Sequence, residues 1–244
     1  MSMQSVPPRL KRTLLSRLFG GQRYQSMALP QFRWLLAGTG LAQVATWMEE
    51  VTRSWLVLQL TNSPVQLGIL AFIRGISQLI VSPFAGPLTD RIDRRRLAII
   101  TQIMPASDAL IVGTLVLTGQ IHIWMMYPLV TIAGISGAIN VPCRQVLVYD
   151  VVGPEYITNA IALGSVVSNI SRIMAPVAGG VTIATLGVTF SYYTQVVFFI
   201  LATGATWMLH PQLHAEPIRE PFWTSIRRGF QYTRREPTIA RLVL

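Results

Sequence analysis

The stretch Gly86-Pro87-Leu88-Thr89-Asp90-Arg91-Ile92-Asp93-Arg94-Arg95-Arg96 places six charges in eleven residues and joins two long apolar runs, near 66–88 and 97–119. A run of roughly 20 apolar residues is long enough to cross a hydrocarbon core of about 30 Å. The stretch therefore reads as a charged loop between two membrane-spanning helices. Working outward from it, four more such runs lie near 34–60, 122–143, 157–185 and 187–209. The breaks between runs carry turn residues: Asn62-Ser63-Pro64, Gly119-Gln120, Gly153-Pro154 and Gly187. Composition agrees, because 51% of the 244 residues are hydrophobic, 12% are charged and the mean hydropathy is +0.47. A soluble domain carries about 25% charged residues, so this deficit points to lipid.

The arginines orient the spans. Six basic residues precede the first span, four lie in the loop 91–96, Arg144 follows the fourth span and six follow the sixth. None lies in the three loops of the other side. Positive charge marks the cytoplasmic face, so both ends of the described set of spans are expected there, in a cell (inner) membrane. The net charge of +10 is thus spread over juxtamembrane loops and is not gathered on a nucleic-acid recognition face. The single cysteine, Cys143, excludes an intrachain disulfide and a cysteine metal cluster.

Residues 1–31 form a basic cytoplasmic segment without the apolar core of a signal peptide. Leu10, Leu14, Leu15, Leu18 and Phe19 recur there at helical spacing, which fits either a helix in the headgroup region or a basic tail. Residues 32–209 are the six-span domain, and 210–244 a cytoplasmic loop. In that loop Phe222, Trp223, Ile226 and Phe230 share a helical face beside several arginines, and 238–244 reads as the opening of a seventh apolar segment.

Six ionisable residues fall inside the spans: Glu49, Glu50 and Arg53 in the first, Arg74 in the second, Asp108 in the third and Arg172 in the fifth. Each costs roughly 2.5–3.5 kcal/mol at the helix centre if unpaired. The signs balance, which points to mutual pairing around an interior polar cavity. Gln43, Thr46, Glu49, Glu50 and Arg53 share one face of the first span, and either carboxylate can reach the guanidinium at i+4 or i+3. An ion-pair lock between helices is the alternative to a substrate or proton site.

The loop 86–96 resembles the signature loop of the major facilitator superfamily: a glycine, then an aspartate-arginine pair, then further basic residues. Asp93 stands where many members have a second glycine. The resemblance implies a conformational latch built from Gly86, Asp90, Arg91, Arg94 and Arg95, closing the cytoplasmic side in one state and opening it in another. Phe32-Arg33-Trp34-Leu35-Leu36, Asn140-Val141-Pro142-Cys143-Arg144-Gln145 and Arg172-Ile173-Met174-Ala175-Pro176 are similar to the branch containing enterobactin and other siderophore exporters and macrolide-efflux-type proteins. Pro176, Gly179 and Gly180 resemble the fifth-helix motif of drug:proton antiporters, with Ala175 where the first glycine is usual. Such transporters have twelve helices, so the resemblance implies an all-α membrane protein, a six-transmembrane-helix bundle that is the N-terminal half of a major facilitator fold. A three-plus-three inverted repeat is expected within it. Pro83-Phe84-Ala85-Gly86-Pro87-Leu88-Thr89 and Pro176-Val177-Ala178-Gly179-Gly180-Val181-Thr182 match at four of seven positions, 93 residues apart.

The implied function is secondary transport, as efflux of a small-molecule substrate such as a drug or siderophore. The partners would be the lipid bilayer and either a C-terminal half or a second copy. No cofactor and no nucleic acid are expected. The competing reading is a truncated six-helix membrane protein that does not transport. Gly134-Ile135-Ser136-Gly137 resembles the serine motif of rhomboid proteases, but His122, His210 and His214 all lie outside the sixth span, where the partner base belongs. No HExxH, P-loop or dinucleotide fingerprint is present, so metal, ATP and enzymatic readings are set aside.

The topology is testable by single-cysteine labelling in a Cys143→Ser background. Positions 22, 94, 155 and 224 should react only from the cytoplasm, and 62, 120 and 187 from outside. Labelling of position 94 in intact cells would overturn it.

Overall fold

The computed structural model describes residues 25–209. The two candidate interfacial helices, near 10–19 and 222–235, and the apolar start at 238–244 lie outside the described residues. Within them a short 3-10 turn, Gln25–Ala28, precedes five helices: α1 Pro30–Thr61, α2 Pro64–Thr89, α3 Arg94–Leu117, α4 Ile123–Leu186 and α5 Val188–Trp207.

Turn chemistry sets their ends. Pro30 and Pro64 open α1 and α2, where the missing N–H is not needed and the fixed φ suits a first helical residue. Asn62 ends α1 in the left-handed region at φ 49°, a conformation asparagine tolerates better than most residues. Gly119, Gly153 and Gly187 take φ of 69°, 70° and 87°, which glycine alone adopts without strain. Gly153 divides the 64-residue α4 into two arms, 123–152 and 154–186. Where the sequence reads a loop between the fourth and fifth spans, the chain stays helical on both sides of this one residue. Leu147, Asp150 and Val152 are buried there, so packing carries the helix past the apolar run.

Two apolar clusters mark the ends of the bundle. One joins Phe32 and Leu35 of α1, Leu97 and Ala98 of α3, Cys143 and Leu147 of the first α4 arm, Ala160 of the second arm, and Leu209 after α5. The other joins Leu56 and Val57, Leu70 of α2, Val112, Met126 and, at the start of α5, Val188 and Tyr192, with Ile183 of the second arm against it. Every helix and each arm runs between these clusters in alternating direction. Arg91, Arg94, Arg95, Arg96 and Arg144 belong to the first end, called here the arginine-rich end.

The burial pattern is that of a membrane protein. Phe72 and Leu79 on α2 and Ile173 and Val177 on the second α4 arm are exposed, whereas Thr52, Ser191 and Gln195 are buried. By length and composition α2, α3, α4 and α5 can each cross a membrane. The polar stripe of the 32-residue α1 lowers its hydropathy, but its packing places it inside the bundle: Ala42 and Ala45 are buried against Phe199 and Ala202 of α5. In lipid, helices are joined by close packing of small residues and by interhelical hydrogen bonds. The Thr52 and Ser191 hydroxyls lie 2.7 Å apart between α1 and α5, and Gln195 Nε2 donates to Thr52 Oγ1 at 3.0 Å. Gln102 Nε2 donates to Thr206 Oγ1 at 3.0 Å, tying α3 to α5.

The tightest approach is at Gly134. A Cβ there would lie 2.7 Å from the Arg74 carbonyl oxygen and 2.9 Å from Ser77 Cβ, so only glycine lets α4 sit this close to α2. At Gly137 a Cβ would meet nothing within 4 Å. Gly134→Val should therefore lower stability by about 2–3 kcal/mol through overpacking. Gly137→Ala should be neutral or stabilise by up to about 1 kcal/mol through helix propensity. Thermal unfolding of the two variants in the same detergent measures the contrast, and equal melting would remove the close approach from the fold's requirements.

Candidate functional site

The polar stripe of α1 folds as its spacing demands. Arg53, 6% exposed, donates from Nη1 to Glu49 Oε1 and from Nη2 to Glu50 Oε2, both at 2.6 Å. Arg74 crosses from α2 and donates to the same Glu50 oxygen, so Glu50 bridges two guanidiniums. A buried arginine with two carboxylates on its fork is held in one orientation, since the planar donors fix their acceptors. Asp108 of α3, 7% exposed, borders a cavity of about 10 Å³ together with Glu49, Arg53 and Tyr192. The structure thus brings five of the six intramembrane charges together on three helices. Arg172 is placed elsewhere: its guanidinium stands 5.1 Å over the Trp47 ring, and the residue is exposed.

Two larger cavities lie in the bundle, one of them against this cluster. One of about 220 Å³ is bordered by Glu49, Arg74, Gln78, Gln102 and Ser136 among others. The second, of about 750 Å³, lies between α1 and the two arms of α4, with Thr39, Arg144, Gln145, Ser165 and Ser168 among mostly apolar walls. Gln43, Asn140 and Val141 border both, so the two cavities are neighbours, ordered from the charge cluster toward the arginine-rich end. The Ser136 hydroxyl donates to the Thr101 carbonyl at 2.8 Å, tying α4 to α3.

The loop between α2 and α3 divides its residues among distinct tasks. Asp90 is exposed at the C-terminus of α2, its N–H donating to the Gly86 carbonyl at 3.2 Å. The carboxylate that caps α3 belongs to Asp93, whose Oδ1 accepts the Arg96 N–H at 3.0 Å. Arg91 is exposed. Arg94 donates from Nη1 to both oxygens of Asp150 on α4, at 2.8 and 2.6 Å, and Arg95 stands 5.5 Å over Trp207 and donates to its carbonyl at the end of α5. Of the fifth-span motif, Gly179 brings the second α4 arm onto α1, with its Cβ direction 3.5 Å from Met48 Cα. Pro176 is half-buried, and Gly180 is exposed with open space beside it.

Sequence reasoning missed Asp150 and undervalued Arg144. Both lie in the stretch read as a loop, where a charge looks solvated. The available signal was that Asn140 and Arg144 are four apart, hence on one helical face.

The Arg94–Asp150 pair is buried, at 11% and 0% side-chain exposure. Removing one member of such a pair leaves an uncompensated charge and costs about 3–5 kcal/mol. Asp150→Ala should lose that much in a detergent unfolding titration, and Arg94→Met combined with Asp150→Leu should recover most of it. Equal stability of the single and double variants would count against the pair.

Comparison with known proteins places this arrangement. Residues 23–244 match the family model described as transmembrane secretion effector, of the major facilitator superfamily. The chain is 23% identical over 211 residues to the uncharacterized MFS-type transporter YfiS of Bacillus subtilis (strain 168), covering 84% of this chain and 49% of that protein. It is 28% identical over 182 residues to the staphyloferrin A transporter of Staphylococcus aureus, covering 73% and 45%. It is 27% identical over 161 residues to multidrug resistance protein 2 of Bacillus subtilis, covering 66% and 38%. The chain spans about half the length of the curated relatives it matches, 49% and 45% for the first two. A multi-pass bundle of apolar helices around buried charges, matched over nearly its whole length by this family's model, belongs to the transmembrane secretion effectors of the major facilitator superfamily.

Proposed function

We propose that this chain is the N-terminal, six-crossing half of a secondary active transporter that exports small amphipathic molecules. The observation that carries the reading is the cluster of Glu49, Glu50, Arg53 and Arg74 beside a cavity inside the bundle. A scaffold has no need to hold four charges inside a lipid-embedded bundle, whereas a substrate path does. The two arms of α4 serve as separate crossings, which gives six, with both ends of the half at the cytoplasmic face of the cell membrane.

Placement of the repeated segments supports a three-plus-three inverted repeat. Pro83–Thr89 ends α2 at the arginine-rich end, while Pro176–Thr182 falls late in the second α4 arm, toward the opposite end. An inversion axis in the membrane plane relates such positions. The space of about 750 Å³ lies in the range of small-molecule pockets. Its mostly apolar walls suit an amphipathic body, and Arg144 favours one that carries a carboxylate. Relatives whose names specify staphyloferrin A transport and multidrug resistance support export of such molecules. The latch residues Asp90, Arg91, Arg94 and Arg95 would govern access at the cytoplasmic side. A second set of helices, on the same polypeptide or from another chain, completes the transport path.

In inverted membrane vesicles containing the transporter with both halves, uptake of an amphipathic fluorescent dye should collapse when the ion gradient is dissipated. The double substitution Glu49→Gln and Glu50→Gln should lower uptake at least about tenfold, a loss of about 1.4 kcal/mol. Uptake indifferent to the gradient would sink secondary transport. Uptake equal to wild type in the double variant would make the cluster a structural lock.

A further inference from the structure

We infer that Asp108 is a buried proton-binding site that takes up and gives back a proton because Glu49 and Glu50 occupy Arg53. Among the five clustered charges there are three carboxylates and two guanidiniums, and Asp108 is the carboxylate left over. Glu49 and Glu50 take the two forks of Arg53, and Arg74 takes Glu50. Asp108 Oδ2 is buried and has no hydrogen-bond partner among the described residues. The Tyr192 hydroxyl, bordering the same small cavity, has none either.

The surroundings decide what fills the vacancy in charge. Facing Asp108 are Glu49 and Arg53 from α1 and Tyr192 from α5, while α4 presents only Met126, Leu129 and Val130. An ionised carboxylate facing a guanidinium that two other carboxylates already hold is disfavoured in this setting, so the group binds a cation or a proton. A hard metal cation needs about six or more oxygens. Three oxygen-bearing side chains and an adjacent guanidinium cannot supply them. The cavity of about 10 Å³ has room for about one water. A proton on Asp108, donated to such a water that in turn donates to the Tyr192 hydroxyl and to Glu49, gives each of these groups a partner.

Glu49 borders both this cavity and the space of about 220 Å³ on the substrate side. It is therefore the wall between the proton site and the larger space. When Glu49 is engaged from that space, Arg53 Nη1 is released and can turn to Asp108. The Asp108 O–H bond then breaks, the proton passes through the cavity water to a Glu49 oxygen, where a new O–H bond forms at the border of the larger space, and the Asp108 carboxylate is left paired with the guanidinium. Use of this exchange in transport rests on the functional reading above; the proton site itself does not.

Infrared spectroscopy of the full chain in phospholipid vesicles tests it without any transport assay. At neutral pH the wild type should show the C=O stretch of a protonated carboxyl, lost in Asp108→Asn. Glu49→Gln should also lose it, because Arg53 is freed for Asp108, and adding Arg53→Gln to that variant should restore it. Where Asp108→Asn does not assemble, Asp108→Glu should move the band to the frequency of a glutamic acid. Absence of the band in the wild type, its survival in Asp108→Asn or its indifference to Asp108→Glu would overturn the inference. Loss in Glu49→Gln without restoration by Arg53→Gln would place the proton on Glu49 and overturn it equally.

Discussion

A guanidinium buried in the middle of a helix bundle in lipid must find its counter-charges within the protein, and Arg53 sets the terms for everything around it. Its two forks demand carboxylates, which α1 itself supplies one turn earlier as Glu49 and Glu50. Glu50 is then close enough to α2 to hold Arg74, and the helix that carries Arg74 is pressed against α4 at Gly134. On its other side α1 is fastened to α5 by Thr52, Ser191 and Gln195. The polar interior is thus a single connected arrangement, and the apolar exterior follows from facing lipid.

The arginine-rich end uses a second arrangement of the same kind. Arg94 meets Asp150 on α4, Arg95 reaches the end of α5, and Asp93 caps α3. One short loop thereby touches three helices. Arginines that the sequence assigns to membrane orientation hold the helices in register here, so an orienting role and a packing role cannot be separated by inspecting charge alone.

How much of this was legible beforehand depends on the range of the interactions concerned. Gly119, Gly153, Gly187 and Asn62 announce their turns because positive φ is a property of single residues. The Glu49–Arg53 and Glu50–Arg53 pairs follow from helical spacing alone. What spacing cannot give is partnership between helices. Nothing local joins Arg94 to Asp150, 56 positions away, or draws Arg172 to Trp47 and away from the other charges. Hydropathy also ends a span where the lipid ends, so the helical stretch 144–152 reads as a loop although tertiary packing continues it.

The single non-helical residue at Gly153 has a mechanical side. The arm before it is pinned through Asp150, while the arm after it, 154–186, extends about 50 Å from that point at 1.5 Å per residue. The second arm is therefore a long lever joined to a fixed arm through the two torsions of one residue. A swing of about 5° there would carry its far tip by about 4 Å over that length. A displacement of that size, near the width of a side chain, is gained without breaking a single helical hydrogen bond in either arm.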